Sequence, residues 1–158
     1  MTKVQKSRSA LIVSIVAAVL SAITSLALLI GIVNTGVTTK TLNSFDYKNG
    51  AIDTNGKVVE SNLSAVSNKA QTVKDMSIEI DEDNAIITYK VAFYDEDGEF
   101  VSMTEQKTQD FDVNEIPEAA STFKVVITPN EVDGEAVKLN SINRAKYVNQ
   151  LKVVFARE

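Results

Sequence analysis

Ala85-Ile-Ile-Thr-Tyr-Lys-Val-Ala-Phe-Tyr94, followed by Asp95-Glu-Asp-Gly98 and Glu99-Phe-Val-Ser-Met103, decides the fold. The first run is dense in β-branched and aromatic residues, which suit the pleated, half-buried surface of a sheet better than a helix. Side chains alternate along a strand, so Ile87, Tyr89, Val91 and Phe93 share one face and Thr88, Lys90, Ala92 and Tyr94 share the other. The first set is the candidate core. Asp95 to Gly98 carries turn chemistry, so the chain is expected to double back and pair antiparallel through residues 99–103.

The same signals extend in both directions. Upstream, Asn49-Gly50 and Asn55-Gly56 are turn dipeptides, because both residue types tolerate positive φ. Residues 57–60 read as a short strand. Residues 71–80 alternate in part through Val73, Met76, Ile78 and Ile80, and a polar turn interrupts them at 81–84. Downstream, strands are expected at 111–113, 122–128, 136–139 and 150–156, with Phe123, Val125 and Ile127 on one face. Pro117 and Pro129 are placed in loops, where a missing N–H costs little. Residues 141–149 suggest one short helical turn. Many short strands, frequent turns and no long amphipathic helix predict a mainly β domain, an antiparallel β-sandwich or jelly roll.

Four motifs then stand in a suggestive order: Gly50-Ala-Ile-Asp-Thr-Asn-Gly56, the hairpin from Tyr89 to Ser102, Ile116-Pro-Glu-Ala-Ala120, and Phe123-Lys-Val-Val-Ile-Thr-Pro129. Together they resemble the lectin-like, carbohydrate-binding-like jelly-roll modules of bacterial surface proteins and of phage tail and fibre proteins. The resemblance covers residues 48–155. It implies a jelly-roll fold and non-catalytic recognition of a glycan or another envelope component, although this fold hosts unrelated functions.

Ahead of the β-rich part lies a segment of different chemistry. Residues 9–36 hold no charged side chain, and Lys3, Lys6 and Arg8 precede them. About 20 apolar residues cross about 30 Å of hydrocarbon as a helix. Residues 9–33 are therefore expected to form one transmembrane helix. A cleaved signal peptide is the competing reading, since Ser25-Leu26-Ala27 offers a small-x-small site. Against cleavage, the apolar run is longer than a signal core, and Leu28-Leu29-Ile30 follows the cut directly. A pilin-like chain is set aside because the apolar segment lacks a glutamate; the first is Glu60. Ser14, Ala18, Ser21 and Ser25 share a helical face, either for close helix approach or as residues a single span tolerates. The basic flank places residues 1–8 in the cytoplasm. The expected organisation is then a stalk at 34–47 and an extracytoplasmic domain at 48–158. The protein is expected at the cell membrane, with the lipid bilayer as a partner through 9–33.

Composition narrows the function. The chain has no Cys, no His and no Trp. That removes disulfides, thiolate zinc sites, the Ser-His-Asp arrangement and the commonest metal ligand. From residue 40 onward, 13 Lys and Arg face 21 Asp and Glu, a balance of -8 that repels phosphate backbones, so nucleic acid is not an expected partner. No glycine-rich phosphate loop or nucleophile elbow is present, and carboxylate pairs will arise by chance among 21 acids. The chain is therefore expected not to be an enzyme and to need no cofactor.

Ligand contacts are sought among tyrosines in the absence of Trp. Tyr94 at the hairpin end, Tyr47 and Tyr147 near loops are the candidates for exposed rings; a structural role filling strand ends is the alternative for each. Asp95, Asp97 and Glu99 alternate around Gly98 and form a calcium candidate, although position 106 of the twelve-residue loop is Gln and not Glu. The expected function is a membrane-anchored module that binds glycan or an envelope component. The alternative is an interaction protein docking onto a partner in the same membrane.

Overall fold

The computed structural model describes residues 38–81 and 83–157. The basic N-terminus at 1–8, the expected span at 9–33 and the first part of the expected stalk lie outside the described residues. Among those described, no helix is long and apolar enough to cross a membrane.

The domain is mainly β, with antiparallel sheets and little helix. Its strands are β1 (Thr39–Thr41), β2 (Tyr47–Asn49), β3 (Ala51–Ile52), β4 (Val58–Val59), β5 (Ala65–Ser67), β6 (Gln71–Thr72), β7 (Ser77–Ile80), β8 (Ile87–Tyr94), β9 (Phe100–Met103), β10 (Thr122–Pro129) and β11 (Leu151–Ala156). A short helix, α1 (Arg144–Val148), precedes the last strand. The smaller sheet runs β1-β11-β7. The larger runs β2-β5-β10-β8-β9, with β6 also on β10, and β3 and β4 form a separate ribbon.

Strand β10 organises the larger sheet. It pairs with β8 along its whole length, from Thr122 opposite Tyr94 to Pro129 opposite Ile87. On its other side β5 and β6 cover different parts. The ladder opens between them, and there the buried Ser67 hydroxyl accepts from the Val125 amide at 3.1 Å. This meets the need of a buried N–H for a partner.

One core draws on both sheets. Tyr89, Phe93, Phe123, Val125 and Ile127 of the larger sheet cluster with Ile78, Val153 and Phe155 of the smaller. Phe123 meets Phe155 edge-on, with centroids 6.1 Å apart. The core face expected for β8 is the face observed: Ile87, Tyr89, Val91 and Phe93 are all buried. A smaller apolar cluster lies on the opposite face of the larger sheet. There Ile52 packs against Val66, Ala92, Tyr94 and Val126, with Val58, Phe100 and Met103 around them.

Several local expectations are corrected. Residues 39–41, placed in the stalk, pair with β11 from Thr39 opposite Ala156 to Thr41 opposite Val154. Tyr47 is buried in the core, so the folded domain begins well before residue 48. Residues 111–113 are not a strand. Asp112 caps a 3-10 turn at Val113–Glu115 by accepting from the Asn114 amide. Residues 136–139 are not a strand either; they follow a tight turn at Gly134 (φ 79°) closed by the Val132–Glu135 bridge. Pro129 ends β10 and is not in a loop. Since β5 reaches only Ile127, its missing N–H breaks no pairing on that side.

Candidate functional site

The three candidate tyrosines are not on the surface. Tyr47 is 2% exposed, and Tyr94 and Tyr147 are each 8% exposed. Tyr94 is covered by the β3–β4 ribbon: its hydroxyl donates to the Gly56 carbonyl at 2.7 Å, and its ring meets Phe100 edge-on. Tyr147 lies on α1 with the Lys146 ammonium 5.3 Å from its ring centre. None presents an open ring for a sugar to stack on, and the three do not converge.

The acidic hairpin turn is also internally engaged. One Asp95 carboxylate oxygen accepts from the Asp97 and Glu99 amides, at 3.0 and 2.9 Å, while Gly98 adopts φ 80°. This is an Asx turn: the carboxylate substitutes for a backbone acceptor and fixes the loop. Among the described residues no three carboxylate, imidazole or thiolate side chains are grouped as metal ligands.

A different surface feature draws together residues distant in sequence. A cleft of about 540 Å³ is lined by Asn49, Glu60, Ser61 and Asn62. Two of these lining residues, Asn49 and Asn62, are held by contacts between residues far apart in sequence. Asn49, at the end of β2, donates from its side-chain amide to the Leu139 carbonyl at 2.8 Å. Its amide oxygen accepts from the Arg144 guanidinium at 3.0 Å. The Leu139 amide donates to the Asn62 carbonyl at 2.6 Å. Leu139 is buried, so the long β10–α1 connection is pinned beside Asn49 and Asn62 by both apolar contact and hydrogen bonds.

The loop before β5 forms the wall. The Gly50 amide donates to the Ser64 carbonyl, and the Ser64 hydroxyl donates back to the Gly50 carbonyl. A Cβ at Gly50 would sit 3.0 Å from Val66 and 3.1 Å from the Val59 carbonyl, which is why glycine suits this close approach. The Ser61 hydroxyl accepts from the Leu63 amide and lies 3.3 Å from the Ser64 hydroxyl, to which it is able to donate. Exposed apolar Val59 and Leu63 flank the lining residues on the same loop. Of the lining residues, Asn49 is fixed by its bonds to Leu139 and Arg144, while Glu60 and Asn62 are exposed.

In the sequence Asn49-Gly50 reads only as a turn, and the structure corrects it: Asn49 ends β2, β3 begins at Ala51, and Gly50 is not among the positive-φ glycines. Residues 49, 62, 139 and 144 share no spacing motif, so nothing in the linear pattern joins them. Comparison of the chain with protein-family models, with curated proteins and with solved structures finds no match.

Proposed function

We propose that this chain is a membrane-anchored, extracytoplasmic and non-catalytic binding module. In this reading residues 9–33 form the anchor, and the domain is a jelly-roll-like antiparallel β-sandwich. It recognises a glycan or another cell-envelope component. The observation that carries the proposal is the Asn49–Asn62 cleft, where Asn49 is fixed by its bonds to Leu139 and Arg144 and the exposed Glu60 and Asn62 stand beside it at a loop end of the β scaffold. Loops on rigid scaffolds are the usual place for recognition. Two antiparallel sheets sharing one core support the sandwich reading. The uncharged run behind Lys3, Lys6 and Arg8 supports the anchor and its orientation. The absence of His and Cys supports binding without chemistry.

The test is retention of the full chain, in detergent, on purified envelope polysaccharides. Glu60→Gln and Asn62→Ala alter exposed side chains at the cleft. Each should weaken retention about five- to tenfold while leaving the fold intact, the loss expected for one hydrogen bond to a ligand. Wild-type retention unchanged by either variant would remove the cleft from the site. No retention, with co-purification of a specific membrane protein, would favour the interaction-protein reading. Exposed Leu63 and Val59 are the apolar surface such a partner would cover.

A further inference from the structure

Charge is unevenly distributed on this acidic domain. Lys40, Gln71, Thr122 and Arg157 line one groove of about 220 Å³. Lys40, Asn68, Lys69 and Gln71 line a second of about 170 Å³, and the two share Lys40 and Gln71. From the second groove the cationic band continues: the Lys124 ammonium donates to the Asn68 carbonyl at 3.4 Å. Lys124 is pushed below its ordinary pKa, chiefly by burial and then by the Lys48 ammonium nearby. Two like charges thus face one another without a counter-ion: Lys48, Lys69, Lys124 and Arg157 form no ion pair with a described residue. The one acid lining either groove is Asp46, which is 3.7 Å from Lys40 and accepts from the Asn43 amide. At the far end Lys74, whose carbonyl accepts from the Ala156 amide, is followed by Asp75, one charge of each sign.

An apolar side chain stands on the same band. Phe45 is 88% exposed, and its carbonyl accepts from the Asn68 side chain, the residue that also holds Lys124. Phe45 fills no core position, so packing does not account for an aromatic there. The band also lies at the first described residue: the Arg157 amide donates to the Thr38 carbonyl at 2.7 Å.

We propose that this edge, with Phe45 set among Lys40, Lys48, Lys69, Lys124 and Arg157, is a docking surface for an anionic lipid bilayer. The proposal rests in part on the anchor reading above. From Val33 to Thr38 the chain spans at most roughly 18 Å when fully extended, so an anchor ending near Val33 keeps this edge within reach of the headgroups. Lysines reach anionic headgroups with their ammonium groups while an aromatic ring enters the interfacial layer, a pairing suited to a membrane surface. Docking would hold the domain in one orientation on the membrane.

The experiment uses two preparations. The domain Thr38–Glu158 encloses its own core and forms a compact unit, so it is tested alone for co-sedimentation with vesicles. It should sediment with vesicles of phosphatidylglycerol and not with those of phosphatidylcholine. Lys48→Ala with Lys69→Ala, both at exposed positions, should weaken this roughly thirtyfold. Salt near 1 M, where the Debye length is about 3 Å, should abolish it. The chain has no Trp, so Phe45→Trp introduces a single fluorescent reporter. In the full chain in nanodiscs, its emission should shift to the blue with anionic lipid only. The Ile142→Trp reporter, at a position 89% exposed and outside the band, should stay unshifted. Equal sedimentation with both lipids, or none with either, would overturn the proposal. So would binding of soluble polyphosphate without binding of vesicles. Carbonate extraction of the full chain tests the anchor separately, so either reading is able to fail alone.

Discussion

The hydroxyl of Tyr94 and the carbonyl of Gly56 are 2.7 Å apart, and this bond ties the β3–β4 ribbon to the outer face of β8. Without the ribbon, the alternation of β8 would leave Tyr94 facing solvent. With it, Tyr94 joins Ile52, Val66, Ala92 and Val126 in a second apolar cluster. Tyr94→Phe keeps the ring and deletes the bond, leaving the Gly56 carbonyl without this partner. A loss of about 1–2 kcal/mol is expected from urea denaturation midpoints at constant m. A change below about 0.5 kcal/mol would mean that water replaces the hydroxyl at no cost.

Gly56 itself is the less tolerant partner. It adopts φ 77°, and a Cβ there would lie 2.3 Å from the Phe100 ring. Gly56→Ala therefore combines left-handed backbone strain with a clash against an aromatic side chain. The expected cost is about 2–4 kcal/mol. Gly98→Ala is the control, since Gly98 has φ 80° but open space around it, and it should cost only about 1–2 kcal/mol. Equal costs at the two positions would show that the packing of the ribbon on Phe100 contributes little.

The core face of β8 predicts a larger effect. Phe93 is 1% exposed, and its ring lies 6.1 Å from that of Phe111. Phe93→Ala should destabilise by about 3–5 kcal/mol. Phe45→Ala, at an 88% exposed position, should stay within about 0.5 kcal/mol. The pair separates an aromatic that holds the fold from one that is free to serve a surface.

The contrast between β8 and its cover explains what was legible in the sequence. The strands β8, β9, β10 and β11 are at least four residues long, enough for alternation to show, and each was read near its true position. Strands β1 to β6 are two or three residues each, too short for a period of 2 to declare itself. For the same reason the sequence leaves Tyr94 open between an exposed ring and a structural role: its cover comes from a short ribbon that contributes Ile52 and Val58. Phe111, Val137 and Leu139 pack in or against the core without pairing as strands, so hydrophobicity alone misassigns their segments. Phe111 packs on Phe93, and Leu139 is buried. The cleft was invisible because Asn49 joins Leu139 and Arg144 across 90 and 95 residues.

Tyr47 supplies the last prediction, because its environment is the opposite of that of Tyr94. Its hydroxyl is buried and has no hydrogen-bond partner among the described residues. A hydroxyl removed from water without a replacement partner costs free energy, so Tyr47→Phe should be neutral or should stabilise by up to about 1 kcal/mol. Burial, and secondarily the Asp46 carboxylate, push the Tyr47 pKa well above its ordinary value. Tyr94 is raised in the same direction by burial and then by Asp53. In the unfolded chain a tyrosine titrates near pH 10. Above that pH the unfolded state has released a proton that the folded state retains, so stability falls as pH rises. Below about pH 10 the contribution is fully present. Lysines also titrate in this range, so the informative quantity is the difference between variants. Urea midpoints measured from about pH 8 to 11 should fall less steeply for Tyr47→Phe than for wild type. Parallel declines would mean that the Tyr47 hydroxyl reaches water in the folded protein, and the burial assigned to it here would be wrong.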